Sequence, residues 1–176
     1  MRRLSVVLVA AVSVGLLGGC ASEAPIWIRV PPKDNPSLTQ VRQDLDRYLG
    51  RTVRWGGTIA AVRNLASETE IEVVERTLSG SGRPDKDSGS EGRFLVRIPS
   101  FLDPAVYAQG RLLSVRGRVQ GEERRNIDEY LYHYPVLAAR HYHLWEPLPP
   151  ARPYRDPWLR DPWSRDPYLD GLNPYW

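Results

Sequence analysis

TVRWGGTIAAV, residues 52–62, decides how the rest of the chain is read. Val53, Trp55 and Ile59 fall on one parity, and β-branched and aromatic residues favour a pleated backbone. A strand over 52–62 follows, with Gly56-Gly57 predicting a bulge or a tight bend. The same period of two continues downstream. Thr69–Arg76 sets Ile71 and Val73 against Glu70 and Glu72, and Arg93–Ile98 does the same with Phe94 and Val96. Leu112–Val119, Glu129–Tyr134 and Val136–Trp145 complete six predicted strands. Between them, residues 79–92 carry four glycines and Pro84 and must be a loop. Asp103-Pro104 predicts a short helical turn that ends near Gly110, with Asp103 as its cap. Upstream, Ser37 is placed to cap one amphipathic helix. Its apolar face is Leu38, Val41, Leu45 and Tyr48 with Leu49, and Gly50 ends it.

Six short strands with glycine corners and one helix predict a mainly β domain: a small OB-like β-barrel, with a β-sandwich as the alternative. Its predicted core is Val53, Trp55, Ile59, Ile71, Val73, Phe94, Val96, Leu113, Val115 and Val136.

The first twenty residues carry a different signal. Met1-Arg2-Arg3 is a basic start, and Leu4–Leu17 is apolar apart from Ser5, Ser13 and Gly15. That stretch is too short to span a bilayer comfortably. With the small residues that follow it reads as a secretory signal. Leu17-Gly18-Gly19-Cys20 resembles a bacterial lipobox, and Cys20 is the only cysteine of the chain. The resemblance implies a diacylglyceryl group on the Cys20 thiol, cleavage after Gly19 and N-acylation of the new amine. Several acyl chains on one residue anchor stably where one would not. The implied partners are membrane lipid and the lipoprotein processing and sorting machinery. Neither Ala21 nor Ser22 is the aspartate that resembles an inner-membrane retention signal, so the outer membrane is favoured.

Four regions follow: a signal peptide (1–19), a lipidated N-terminus and extended linker (20–35), a barrel domain (36–146) and a tail (147–176). The tail holds eight of the sixteen prolines and repeats RDPWL, RDPWS and RDPYL over residues 155–169. Each proline pushes its predecessor away from helix, so the tail is expected to be disordered or extended. Its aromatics and arginines would suit docking on an envelope protein or a glycan.

The chain's formal charge is +3, and Arg2 and Arg3 lie in the segment expected to be removed. What remains is close to neutral, which gives no electrostatic case for nucleic acid. One cysteine excludes an internal disulfide framework and a thiolate zinc cluster. His141 and His143 share a strand face, but no carboxylates complete a metal shell, so no metal and no cofactor are expected. Ser100 and Ser114 sit in no nucleophile motif, and no catalytic residue is assigned. Glu122, Glu123, Asp128 and Glu129 flank a turn and read as solvated. Tyr130, Tyr132, Tyr134 and Tyr142 with Arg140 form a candidate ligand face for a small envelope ligand, glycan or peptide.

Longer stretches carry a family resemblance. They are VRWGG (53–57), GRFL (92–95), FLDP (101–104) and YHYPV (132–136), in this order and spacing within residues 30–145. Together they resemble the Slp family of starvation-inducible outer-membrane lipoproteins; the tail falls outside the resemblance. The resemblance implies an outer-membrane location, an OB-like barrel, no catalytic residues and a link to starvation or envelope stress.

Overall fold

A computed structural model describes residues 24–148. The signal segment, Cys20 with its lipobox, and the proline-rich tail lie outside the described residues.

Five strands close a barrel in the order β1-β2-β3-β5-β4: β1 (Thr52–Asn64), β2 (Thr69–Glu75), β3 (Arg93–Ile98), β4 (Leu112–Ile127) and β5 (Tyr130–Leu144). All neighbours are antiparallel except β3 and β5, which run parallel. This is the OB-like barrel expected from the sequence, and the β-sandwich is set aside.

The decisive strand serves two partners. Residues 52–58 of β1 pair with β4, and residues 57–64 pair with β2. Gly56-Gly57 sits at the changeover and is not itself a bulge; the register shift lies between Ile59 and Ala61. The glycines are needed because backbones approach too closely for side chains. A β-carbon at Gly57 would overlap the Val74 carbonyl, and one at Gly56 would lie 2.8 Å from the Leu113 carbonyl oxygen.

The predicted fifth and sixth strands are one. Pro135 does not end β5, because β3 pairs with β5 only at Val136–Ala138. Tyr130–Pro135 therefore has a free edge, where proline's missing N–H costs nothing. With the distal half of β4 it forms a two-stranded arm that extends past the barrel, turning at Asp128 (φ 53°). Register shifts at Arg116/Gly117 and Val119/Gly121 bend the hairpin where it leaves the barrel.

The barrel interior holds nine of the ten predicted core residues, joined by Leu38, Val41, Ile98, Leu102, Val119, Leu137 and Ala139. Val136 is buried too, but outside the barrel with Leu95 and Tyr134. Trp55 meets Phe94 edge-on at 5.3 Å and donates its indole N–H to the Pro36 carbonyl at 2.8 Å.

The helix after Ser37 breaks in two. Ser37 and Gln40 form a capping box for α2 (Leu38–Gln43). Asp44 then leaves helical geometry and caps α3 (Leu45–Tyr48) by accepting from the Arg47 N–H. Breaking there turns Leu45 and Tyr48 onto the barrel, while Leu49 stays exposed. Asp103-Pro104 forms hydrogen-bonded turns and no helix; the Asp103 carboxylate accepts from the Ala105 N–H.

The extended linker is corrected from Ala24 onward. A short helix, α1 (Ile26–Arg29), packs on the outside of the barrel. Ala24 and Ile28 are buried against Leu112 and Trp145. Arg54 donates to the Ile28 and Arg29 carbonyls at 2.8 and 2.6 Å. Asn35 pairs with both backbone polar groups of Arg54. The packed body thus reaches to within four residues of Cys20.

Candidate functional site

Two outer faces of the barrel matter, and strand parity builds both. On β2 and β3, Ile71, Val73, Phe94 and Val96 point inward, so Glu70, Glu72, Leu95 and Arg97 point out. In OB-like barrels this is the face that takes ligands. Here the β4–β5 arm lies on it. Leu95 is sealed by Tyr134 and Val136, with Ile127 and Tyr132 alongside. The Tyr132 hydroxyl accepts from the Arg93 N–H at 2.8 Å, and the Tyr134 hydroxyl donates to Glu72 at 3.1 Å.

Charge locks the arm down. Glu70 is only 3% exposed and receives both guanidinium nitrogens of Arg125 from the arm, at 2.7 and 2.8 Å. Arg63 on β1 reaches the same carboxylate at 2.7 Å, and Arg97 lies at 3.4 Å. Glu123, also on the arm, binds Arg97 and Arg125, each at 2.6 Å. Burial works to raise the Glu70 pKa, but the hydrogen bonds and charges of Arg125 and Arg63 outweigh it and hold the carboxyl below its usual range. Burial, with the Glu72 charge behind it, pushes the Tyr134 hydroxyl up to about 12. Glu123 is therefore not the solvated turn carboxylate read from the sequence. The sequence shows alternating charge on β2 and β3 but not the register that opposes Glu70 to Arg97, nor the fold-back that delivers Arg125.

The predicted tyrosine face is divided. Tyr134 is buried between the arm and β3, against Leu95. Tyr142 points into the barrel mouth and meets Tyr107 at 6.2 Å. Tyr132 is half-buried, its ring 5.0 Å from the Arg42 guanidinium. Arg140 is the extra residue of the bulge between Ala139 and His141 and lies on another side. Tyr132 touches both Tyr134 and Tyr130, at ring-centroid distances of 4.7 and 6.5 Å, but only Tyr130 and Tyr132 reach the surface. They line a groove of about 420 Å³ between the arm and α2 with Arg42, Gln43, Glu122 and His133.

The three histidines have separate partners. His133 bonds Glu122 at 2.7 Å, His141 meets Trp27 at a tilt with ring centroids 5.4 Å apart, and His143 meets Trp145 edge-on at 4.5 Å. Burial, helped by Arg83, lowers the His143 pKa. Among the described residues no group of three or more histidine, cysteine or acidic side chains could hold a metal. Ser114 is structural: it donates to the Gly82 carbonyl at 2.6 Å and accepts from the Trp145 indole at 2.9 Å.

The second face is the outside of β4 and β5. Leu112 and Ser114 are covered by α1, the 79–84 loop and Trp145. Two steps further along the same parity, Arg116 and Arg118 are not. With Trp27, Arg140 and His141 they line a groove of about 780 Å³.

A family model described as the outer membrane lipoprotein Slp family matches residues 17–176. The chain belongs to that family. As an Slp-family protein it is an outer-membrane lipoprotein of the bacterial envelope. The family match runs through Trp176, so the tail, which the sequence resemblance left out, lies within the family's extent. An uncharacterized lipoprotein, YeaY, of Escherichia coli K12 is 28% identical over 147 residues, covering 81% of this chain and 75% of the relative. An uncharacterized protein of Haemophilus influenzae is 36% identical over 58% of this chain and 56% of its own length. Outer membrane protein Slp of Escherichia coli K12 is 27% identical over 65% of this chain and 60% of its own length. None of these names a catalytic activity. Among solved structures, a small single-stranded DNA-binding protein from Streptomyces coelicolor aligns with a TM-score of 0.34 at 13% identity. The alignment covers 54% of this chain and 94% of that one. The barrel assignment rests on the strand order and registers given above.

Proposed function

We propose that this Slp-family protein is a non-catalytic envelope lipoprotein, held by acyl chains on Cys20, that works by interaction in starvation or envelope stress. The observation that carries the reading is the self-occupied β2–β3 face. An OB-like barrel that bound an extended polymer there would leave stacking aromatics and cations open. This barrel spends Tyr132, Tyr134, Arg97 and Arg125 on its own arm. The family supports the envelope location, and the lipobox residues Leu17, Gly18 and Gly19 support Cys20 as the anchor.

The test is the mass of the purified N-terminus together with membrane fractionation of Cys20→Ser. A mature chain that starts at Cys20 with diacylglyceryl and acyl mass is expected, and the variant should persist as an unprocessed or mislocalised precursor. An unmodified thiol, or a start elsewhere, refutes the anchor. Crosslinking in intact cells tests the interaction role, with the 155–169 repeat as the segment expected to capture an envelope protein or a glycan.

A second reading is a binding module for a small polar ligand. The groove shared by Tyr130, Arg42 and His133 favours it over the wider tyrosine face. Chemical-shift changes confined to that groove on adding a glycan or peptide, and lost in Tyr130→Ala, would support it.

A further inference from the structure

We propose that the open half of the β4–β5 outer face, with Trp27, Arg116, Arg118 and Arg140, rests on the phosphate-bearing surface of the bilayer that anchors Cys20. This inference builds on the Cys20 reading above, and three observations lead to it.

The first is charge. Four arginines and one glutamate line the groove beside Trp27; that glutamate, Glu68, lies 3.6 Å from one of them, Arg97. Arg116, Arg118 and Arg140 make no ion pair with any described residue, unlike the arginines on the β2–β3 face. Unpaired guanidinium groups in an open concave face match phosphate, which they can bind through two parallel hydrogen bonds.

The second is reach. Cys20 precedes Ala24 by four residues, so the two α-carbons stand at most about 14 Å apart. Ala24 and Ile28 are buried in the barrel's outer cluster, and Arg54 holds the carbonyls of α1. No slack remains for the barrel to stand off on a tether. The side that carries α1 must face the membrane that holds the acyl chains.

The third is what α1 exposes. Ile28 is fully buried while its neighbours Ile26 and Trp27 are 57% and 39% exposed. Trp27 is fixed by its contact with His141. A rigidly held tryptophan and an isoleucine beside cations fit the headgroup boundary, where an indole is apolar on its faces and hydrogen-bonded at its edge.

The test separates this surface from the anchor. The mature-length chain, residues 20–176 with Cys20→Ser, carries no acyl chain. It should float with vesicles of phosphatidylcholine and phosphatidylglycerol more than with phosphatidylcholine alone, and salt should weaken the binding. At about fivefold per arginine near a charged surface, the triple variant Arg116→Gln, Arg118→Gln, Arg140→Gln should bind on the order of a hundredfold more weakly. The triple variant Arg47→Gln, Lys86→Gln, Arg124→Gln, with the same charge loss elsewhere, should bind like the parent. In the lipidated protein on the same vesicles, a nitroxide at Arg118→Cys should be shielded from an aqueous relaxant relative to one at Lys86→Cys. Equal binding to both vesicles, equal losses in the two triple variants, or equal relaxant access at 118 and 86 overturns the proposal. So does binding of an anionic polysaccharide or an oligonucleotide by the same arginines without vesicle binding. All of these leave the Cys20 reading standing; only the N-terminal mass can remove it.

Discussion

Replacing Glu70 with glutamine keeps the shape of the side chain and removes the charge on which three arginines converge. The cost can be worked from the contacts. Removing one member of a fully buried ion pair costs about 3–5 kcal/mol because the other charge is stranded. Here the arginines are not fully stranded. Arg63 has 57% of its side chain exposed and returns to water cheaply. Arg97 and Arg125 keep Glu123 at 2.6 Å. The two short bonds from Arg125 are the main loss, because they join the arm to the barrel. The expected destabilisation is therefore about 2 kcal/mol, nearer the value of a charged hydrogen bond than of a buried pair. For a barrel of this size that is a fall in melting temperature of roughly 6–10 °C. The location of the loss is the sharper test. Amide exchange should accelerate across residues 120–135 while β1 and β2 keep their protection. Because the folded Glu70 pKa lies below its ordinary 4.5, its contribution is complete above that pH and fades as pH falls through the lower folded value. The acid limb of the stability curve should flatten in Glu70→Gln. Unchanged exchange in the arm, or an unchanged acid limb, would refute the view that Glu70 clamps the arm.

Gly57→Ala should cost several kcal/mol or abolish folding, because the added carbon meets the Val74 backbone and not a movable side chain; soluble yield and urea denaturation decide it. Trp55→Ala should cost about 3–5 kcal/mol, from the lost ring packing on Phe94 and an orphaned Pro36 carbonyl, read as a shifted denaturation midpoint. Truncation after Leu148 should leave the melting temperature within a few degrees, since the segment removed carries seven prolines, none of which can donate a backbone hydrogen bond to the barrel. Truncation after His143 should not, because it removes Trp145, whose indole and ring close the outer cluster.

The strands, the barrel core and the Ser37 cap were legible in the sequence because each depends on residues a few places apart. Period two puts Val53, Ile71, Phe94 and Leu113 on one side of their strands whatever lies across from them, and the lipobox is readable as a contiguous string. Three things depended on partners distant in the chain. The merging of two predicted strands into β5 turned on Pro135 facing a free edge, which only the length of β3 defines. The tyrosine set looked like one surface because alternation was carried straight through residues 130–142. The bulge at Arg140 breaks that parity and turns Tyr142 into the barrel, while Tyr134 keeps the parity of Tyr130 and Tyr132 and is buried because the arm lays that face on Leu95. Glu70 looked like an ordinary outward carboxylate until a hairpin returned Arg125 to it from 55 residues away. Local pattern fixes which face a side chain takes; what covers that face is set by register and by where the chain comes back, and neither is written in any short stretch of sequence.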